Sequence, residues 1–147
     1  MAIRERWKHT TPSPLSTDEG CRRAVDVLTA DGRVEIVYLF GSRAAGGEDR
    51  AADFDFAIRT SGTFTWDDLF RLHVPLARSL ESGRFDVVWL NRADPVLAFD
   101  AIATGVCLWY DDAEALNDFE LRTQKRFWDY SIRLKKRAGV WDDGVST

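Results

Sequence analysis

Asp53-Phe54-Asp55-Phe56-Ala57-Ile58-Arg59 is the stretch whose reading decides the fold, because acids and apolar residues alternate along it. On a strand, side chains point to opposite faces with a period of two, so Asp53 and Asp55 share one face while Phe54, Phe56 and Ile58 share the other. One face is then core and the other carries chemistry. The two aspartate Cα atoms stand about 6.5 Å apart, close enough for their carboxylates to grip one or two divalent ions. Magnesium, which takes hard oxygen ligands together with waters and substrate phosphates, suits such a pair better than zinc does.

Upstream, Val34-Glu35-Ile36-Val37-Tyr38-Leu39-Phe40 is short, β-branched and aromatic, and is expected to form a buried strand ending at a glycine. The loop that follows, Gly41-Ser42-Arg43-Ala44-Ala45-Gly46-Gly47-Glu48-Asp49-Arg50, is small and polar, and Gly41 lets its backbone come close to a ligand. Arg43-Ala44-Ala45 is read as the start of a short helical turn. Ser16 and Glu19 have capping-box spacing, and Cys21, Ala24, Val25 and Leu28 recur at helical intervals, which predicts a first helix over about 17–30. Residues 1–15, with Pro12 and Pro14, are read as an irregular arm.

Downstream, a helix is expected over about 66–82, with Leu69, Leu72, His73, Leu76 and Leu80 as its apolar stripe, Pro75 as a kink and Gly83 as its stop. Arg84-Phe85-Asp86-Val87-Val88-Trp89-Leu90 reads as a third strand, in which Asp86 is a lone acid among apolar residues and is costly to bury unless something binds it. A helix over about 95–104, a strand over 106–110 and a long helix over about 112–137 complete the pattern. The fold class is α/β (α+β), a mixed and mostly antiparallel sheet backed by helices. One domain over 16–137 is expected, between the arm at 1–15 and a tail at 138–147.

Composition narrows the class. The 147 residues are 45% apolar and 12% aromatic, and no segment reaches the roughly 18 apolar residues needed to cross a bilayer. The first eight residues lack the apolar run of a secretory signal, so a cytoplasmic home is expected and no membrane association. A net charge of −4 argues against a nucleic-acid-coating protein and suits a basic protein partner better. Cys21 and Cys107 have neither CxxC spacing nor a nearby histidine pair, and are read as two buried thiols.

Asp86 arrives from a second strand and either completes a metal cluster with Asp53 and Asp55 or takes the proton of an attacking hydroxyl. Gly41, the Ser42 hydroxyl, nearby amides and Arg43 supply donors for triphosphate oxygens. This chemistry is nucleotidyl transfer. The order Gly41-Ser42, ten residues, Asp53-Phe54-Asp55 and then Asp86 resembles the nucleotidyltransferase superfamily that includes DNA polymerase beta.

Within that superfamily, Leu39-Phe40-Gly41-Ser42-Arg43-Ala44, Asp53-Phe54-Asp55-Phe56-Ala57 and Phe85-Asp86-Val87-Val88-Trp89-Leu90-Asn91 look like segments of the minimal nucleotidyltransferases, the MNT-type antitoxins encoded beside HEPN-domain toxins. The resemblance runs from about residue 20 to about 130. It implies a fold like that of polymerase beta, with Gly41 and Ser42 binding ATP, Asp53 and Asp55 ligating magnesium, and Asp86 as the third catalytic acid. It further implies AMP transfer from ATP to a tyrosine of a HEPN ribonuclease toxin, which is thereby silenced, and a hetero-oligomer with that toxin. Ala52 departs from the pattern, since relatives often have Ser there; a possible hydroxyl ligand is lost and the carboxylates remain.

Blander roles fall to the other candidates. His73 is read as a satisfied structural histidine, His9 as solvated, and the basic residues Lys125, Arg126, Arg133, Lys135, Lys136 and Arg137 as a solvated helix face. Phe119, Phe127, Trp128 and Tyr130 are too many for one narrow stripe, so part of that helix is expected to meet a partner. Tyr38 and Tyr110 are read as packing residues. Two rival functions stand beside AMP transfer: an antitoxin that acts by contact alone, and a small-molecule nucleotidyltransferase. The short remainder of the chain leaves little room for the added substrate domain that the second requires.

Overall fold

A computed structural model describes residues 11–46 and 52–139 of the chain. Its elements run α1 (Thr17–Thr29), β1 (Val34–Phe40), β2 (Phe54–Thr60), α2 (Trp66–Arg71), α3 (His73–Leu80), β3 (Phe85–Trp89), a 3-10 turn (Leu90–Arg92), α4 (Pro95–Thr104), β4 (Val106–Tyr110) and α5 (Ala113–Arg137). The readings made for His9, for Gly47 to Arg50 and for the tail from residue 140 lie outside the described residues.

The strands form one sheet in the order β3-β2-β1-β4, with β1 antiparallel to both of its neighbours and β2 parallel to β3. This is the mixed, mostly antiparallel sheet expected. Both faces of the sheet are covered. On one, Phe54, Phe56, Ile58, Phe85 and Trp89 pack with Ala24 and Leu28 of α1 and Leu76 and Leu80 of α3. On the other, Ile36, Tyr38 and Ala57 pack with Ala98 and Ala101 of α4 and Phe119 of α5. Phe54, Phe56 and Ile58 are fully buried, each contributing about 1.5–3 kcal/mol through removal of apolar surface from water. β1 is interior to the sheet and buried on both faces, which explains its near-continuous apolar run.

Local chemistry sets the boundaries. The Ser16 side chain caps α1 by accepting from the Glu19 amide, but the Glu19 carboxylate pairs with Arg22 and Arg23, so the expected capping box is only half built. The predicted helix over 66–82 is instead two helices meeting at Leu72. Pro75 lacks the amide that would bond to the Arg71 carbonyl and its ring crowds that carbonyl, so the helix ends and restarts with proline in its first turn. The stop is Glu81 in the left-handed region at φ 57°, not Gly83.

The described part of the arm is tied down. Residues 11–15 carry no helix or strand, yet Ser13 is buried and its hydroxyl donates to the Leu80 carbonyl at 2.5 Å, tying the segment to the end of α3. Of the α5 aromatics, Phe119 is core and Phe127 stacks on Phe99 at 4.1 Å, whereas Trp128 is exposed. Among the described residues no helix is long and apolar enough to cross a membrane.

α1 lies close on the sheet because Gly20 has no side chain: a Cβ there would run into the Phe54 ring. Gly20→Ala is expected to destabilise the protein by about 1–3 kcal/mol through overpacking, despite alanine's better helix propensity. Urea denaturation of the two proteins measures this, and an alanine variant as stable as the parent would show that α1 can shift without cost.

Candidate active site

β2 carries Asp55, Ala57 and Arg59 on one face, and the residues beyond Asp55 are covered. Ala57 lies in the cluster beneath α4 and α5, and the Arg59 guanidinium sits 4.9 Å over the Phe119 ring. Asp53 and Asp55, at the start of the strand, are only part-buried. The expected division into a core face and a chemistry face is therefore corrected: both faces are core, and only the entrance of the second one is open.

Register brings the third acid alongside. In the parallel ladder Phe54 faces Phe85 and Asp55 faces Asp86, so the two carboxylates are direct neighbours on one face. Asp86 is exposed rather than buried among apolar residues, so the desolvation cost foreseen for it does not arise. The pairing is pinned at its far end, where the Asn91 side chain accepts from the Thr60 amide at 2.9 Å and donates to the Thr60 carbonyl at 2.8 Å. There the Trp89 indole donates to the Thr60 hydroxyl at 2.9 Å.

The Gly41 turn closes the other side. Phe40 pairs with Asp55, and Gly41 follows at φ +74°, a conformation natural to glycine. A Cβ on Gly41 would collide with the Asp55 carboxylate, so the glycine is required by that carboxylate as well as by any ligand. The predicted turn at 43–45 is present, with the Ala44 amide donating to the Gly41 carbonyl at 3.1 Å and the Ala45 amide to the Ser42 carbonyl at 3.3 Å. Ser42 is exposed beside it.

Arg43 corrects the sequence reading. Its side chain turns inward, 3% exposed, and stacks 3.8 Å over the Phe54 ring. Its Nε donates to the Ala52 carbonyl at 2.9 Å, and its Nη1 donates to the Leu15 carbonyl at 3.3 Å and the Thr17 hydroxyl at 3.2 Å. The planar fork thus ties the turn after β1 to the residue before Asp53 and to the start of α1. It braces the turn from the inner side.

Electrostatics mark Asp55. Burial, then the neighbouring Asp86 and Asp53 carboxylates, push its pKa up from 3.8 to about 6. Asp53 is engaged: Arg84 Nε donates to its Oδ1 at 2.9 Å. Among the described residues, no three His, Cys, Asp or Glu side chains gather closely enough to enclose a metal ion. The donors are nevertheless all carboxylate oxygens under mutual repulsion, the set that fits a hard divalent cation whose remaining ligands are waters and phosphates.

Arg84, beside the acids, and Asn91, at the far end of the ladder, make contacts that sequence reasoning missed. Arg84 lies two residues before Asp86, hence on the same face, and that spacing was a usable signal; Asn91 gave none. His73 is packed between Phe70 and Phe85, at 6.0 and 5.6 Å between ring centroids, and its buried Nδ1 has no hydrogen-bond partner among the described residues. The expected satisfied histidine thus lacks a partner at that nitrogen among the described residues. Cys21 is buried, and burial foremost pushes its thiol up to about 11; Cys107 is only part-buried, and both are free.

The fold has known relatives. Residues 23–114 match the family described as Polymerase beta, Nucleotidyltransferase. The chain belongs to that family. It is also 30% identical, over 76% of both chains, to the protein adenylyltransferase MntA of Shewanella oneidensis. A solved structure of a tri-AMPylated Shewanella oneidensis HEPN toxin in complex with MNT antitoxin contains a chain that matches with TM-score 0.63 and 25% identity, over 88% of this chain and 98% of that one. A toxin-antitoxin crystal structure with AMP-PNP matches in fold with TM-score 0.66 and 24% identity, over 86% of this chain and 98% of that one.

A carboxyl whose folded pKa is raised stabilises the folded state below its unfolded pKa and loses that contribution as pH rises through the folded value. For Asp55 the window runs from about 3.8 to about 6. In the absence of divalent cations, Asp55→Asn is therefore expected to stabilise this nucleotidyltransferase at pH 7 by about 1 kcal/mol, after discounting for solvent screening. The gain should vanish near pH 4. Thermal melts at the two pH values check this, and equal melting temperatures at pH 7 would show that the repulsion is already screened.

Proposed function

We propose that this chain is a magnesium-dependent nucleotidyltransferase antitoxin that transfers AMP from ATP to a tyrosine hydroxyl of a HEPN toxin and thereby silences it. The observation that carries the reading is the placing of Asp55 directly beside Asp86 with the Gly41 turn resting on the Asp55 carboxylate. Triphosphate site and acids are thus one continuous surface. The name of the Shewanella relative and the AMPylated toxin in the matching complex support the choice of AMP and of a HEPN acceptor.

In this reading the Ser42 hydroxyl and the amides of the Gly41 turn hold triphosphate oxygens, while Arg43 fixes the turn from behind. Asp53 and Asp55 hold magnesium. Magnesium held there would supply positive charge to the phosphates and to the leaving pyrophosphate. Asp86, the most exposed of the three acids, takes the proton of the acceptor hydroxyl. The tyrosine oxygen bonds to the α-phosphorus as the bond to the β-phosphate oxygen breaks. The open entrance of the sheet face leaves room for a protein acceptor, and both partners are placed in the cytoplasm. The exposed Trp128 side of α5 is assigned to toxin contact, and no role in nucleic-acid binding is assigned to the chain.

Intact-mass analysis of the cognate toxin after incubation with this protein, magnesium and each nucleoside triphosphate in turn tests the proposal. ATP alone should add one or more AMP units, on tyrosine. Asp53→Asn with Asp55→Asn should cut the transfer at least a hundredfold while leaving the two proteins bound to each other. Unmodified toxin that is still inhibited, or a double variant that still protects cells, would replace catalysis with inhibition by contact.

A further inference from the structure

The acidic face has a fourth corner. In the parallel ladder Phe54 faces Phe85 and Asp55 faces Asp86, and Asp53 and Arg84 are the residues that immediately precede the paired ones. With a side-chain period of two, all four lie on one face: a like-charge pair at Asp55 and Asp86 beside an opposite-charge pair at Asp53 and Arg84. The two meet through their side chains, Arg84 Nε donating to Asp53 Oδ1 at 2.9 Å. Arg84 is also anchored through its backbone, its amide donating to the Ser82 hydroxyl at 3.0 Å, which in turn donates to the Thr11 carbonyl at 2.6 Å.

The ion pair is made of a side chain 34% exposed and one 45% exposed, so water screens it and the attraction is modest. A divalent cation carries twice the charge in a smaller volume and outcompetes a guanidinium for the same oxygen. The mutual repulsion of Asp55 and Asp86 draws a cation to the same spot. Arg84 and the cation are therefore rivals for one carboxylate.

We propose that Arg84 is a positioning residue that competes with the divalent cation for Asp53. It neutralises Asp53 in the cation-free protein and yields the carboxylate when the cation arrives with its triphosphate. The cation alone then binds weakly, and the metal site is completed only together with nucleotide. This rests on the assignment of Asp53 as a metal ligand made above.

Manganese serves as the probe. The full chain, without nucleotide, is titrated with Mn2+ while free Mn2+ is followed by electron paramagnetic resonance, for the parent, Arg84→Gln, Arg84→Lys, Asp53→Asn and the Arg84→Gln/Asp53→Asn double variant. Arg84→Gln should bind Mn2+ about tenfold more tightly than the parent, as removal of a competing unit charge at short range requires. Arg84→Lys, which keeps the charge, should stay within about threefold of the parent.

The double variant decides between competition for Asp53 and a general change of charge. Competition requires that Arg84→Gln bring no gain once Asp53 is Asn, so that the two effects fail to add. An equal gain in both backgrounds overturns the proposal, as does an Arg84→Gln protein that binds no more tightly than the parent. If Asp53→Asn leaves Mn2+ binding unchanged in every background, the metal assignment itself fails and the proposal falls with it. Melting curves of each variant confirm that the proteins compared are folded.

Discussion

The parallel pairing of β2 with β3 is the constraint on which the site depends. A parallel ladder sets residues of equal count side by side, and here the count puts Asp55 against Asp86. A slip of one residue would move either carboxylate to the buried face beside Phe54 and Phe85, which the core cannot accept. The apolar face therefore fixes the register, and the register fixes the chemistry. Thr60, Trp89 and Asn91 strengthen the same register from the far end of the strands.

Placing two carboxylates side by side costs stability, and the surroundings sharpen that cost rather than relieve it. Gly41 leaves no side chain between the turn and Asp55, and partial burial raises the pKa of the Asp55 carboxyl. The fold tolerates the strain because α4 and α5 bury the rest of that sheet face, with Ile36, Tyr38, Ala57 and Phe119 in contact. Tyr38 extends the same layer by donating from its buried hydroxyl to Glu120 at 2.5 Å, joining β1 to α5. Stability is supplied away from the site, and the site is left poised for a cation.

Much of the architecture was legible along the chain. The punctuation at Gly41 and the Asp-Pro start of α4 are local signals with a local physical cause, and the structure returns them with little change; the alternation at Asp53 to Arg59 gives the strand, although both of its faces are covered beyond Asp55. Some departures are local, and others concern partners distant in sequence. Arg43 was assigned to phosphate because it follows Gly41-Ser42, but its carbonyl acceptors at Leu15 and Ala52 come from two other segments. The break at Leu72 was local and its cause visible in Pro75, yet whether a proline kinks a helix or divides it depends on what the two halves pack against.

Sequence by itself determined which faces exist: strand periodicity and helical spacing are properties of the backbone, so composition along a segment states which side chains must share a surface. It also supplied the order of glycine, serine and acids from which the family resemblance came. Only the tertiary structure decided which carboxylate meets which neighbour, that Asp53 is held by Arg84, that Asp86 is exposed and that Arg43 faces inward. Those facts depend on strand register and on helix placement over the sheet, set by the packing of all the elements together, and no single segment contains them.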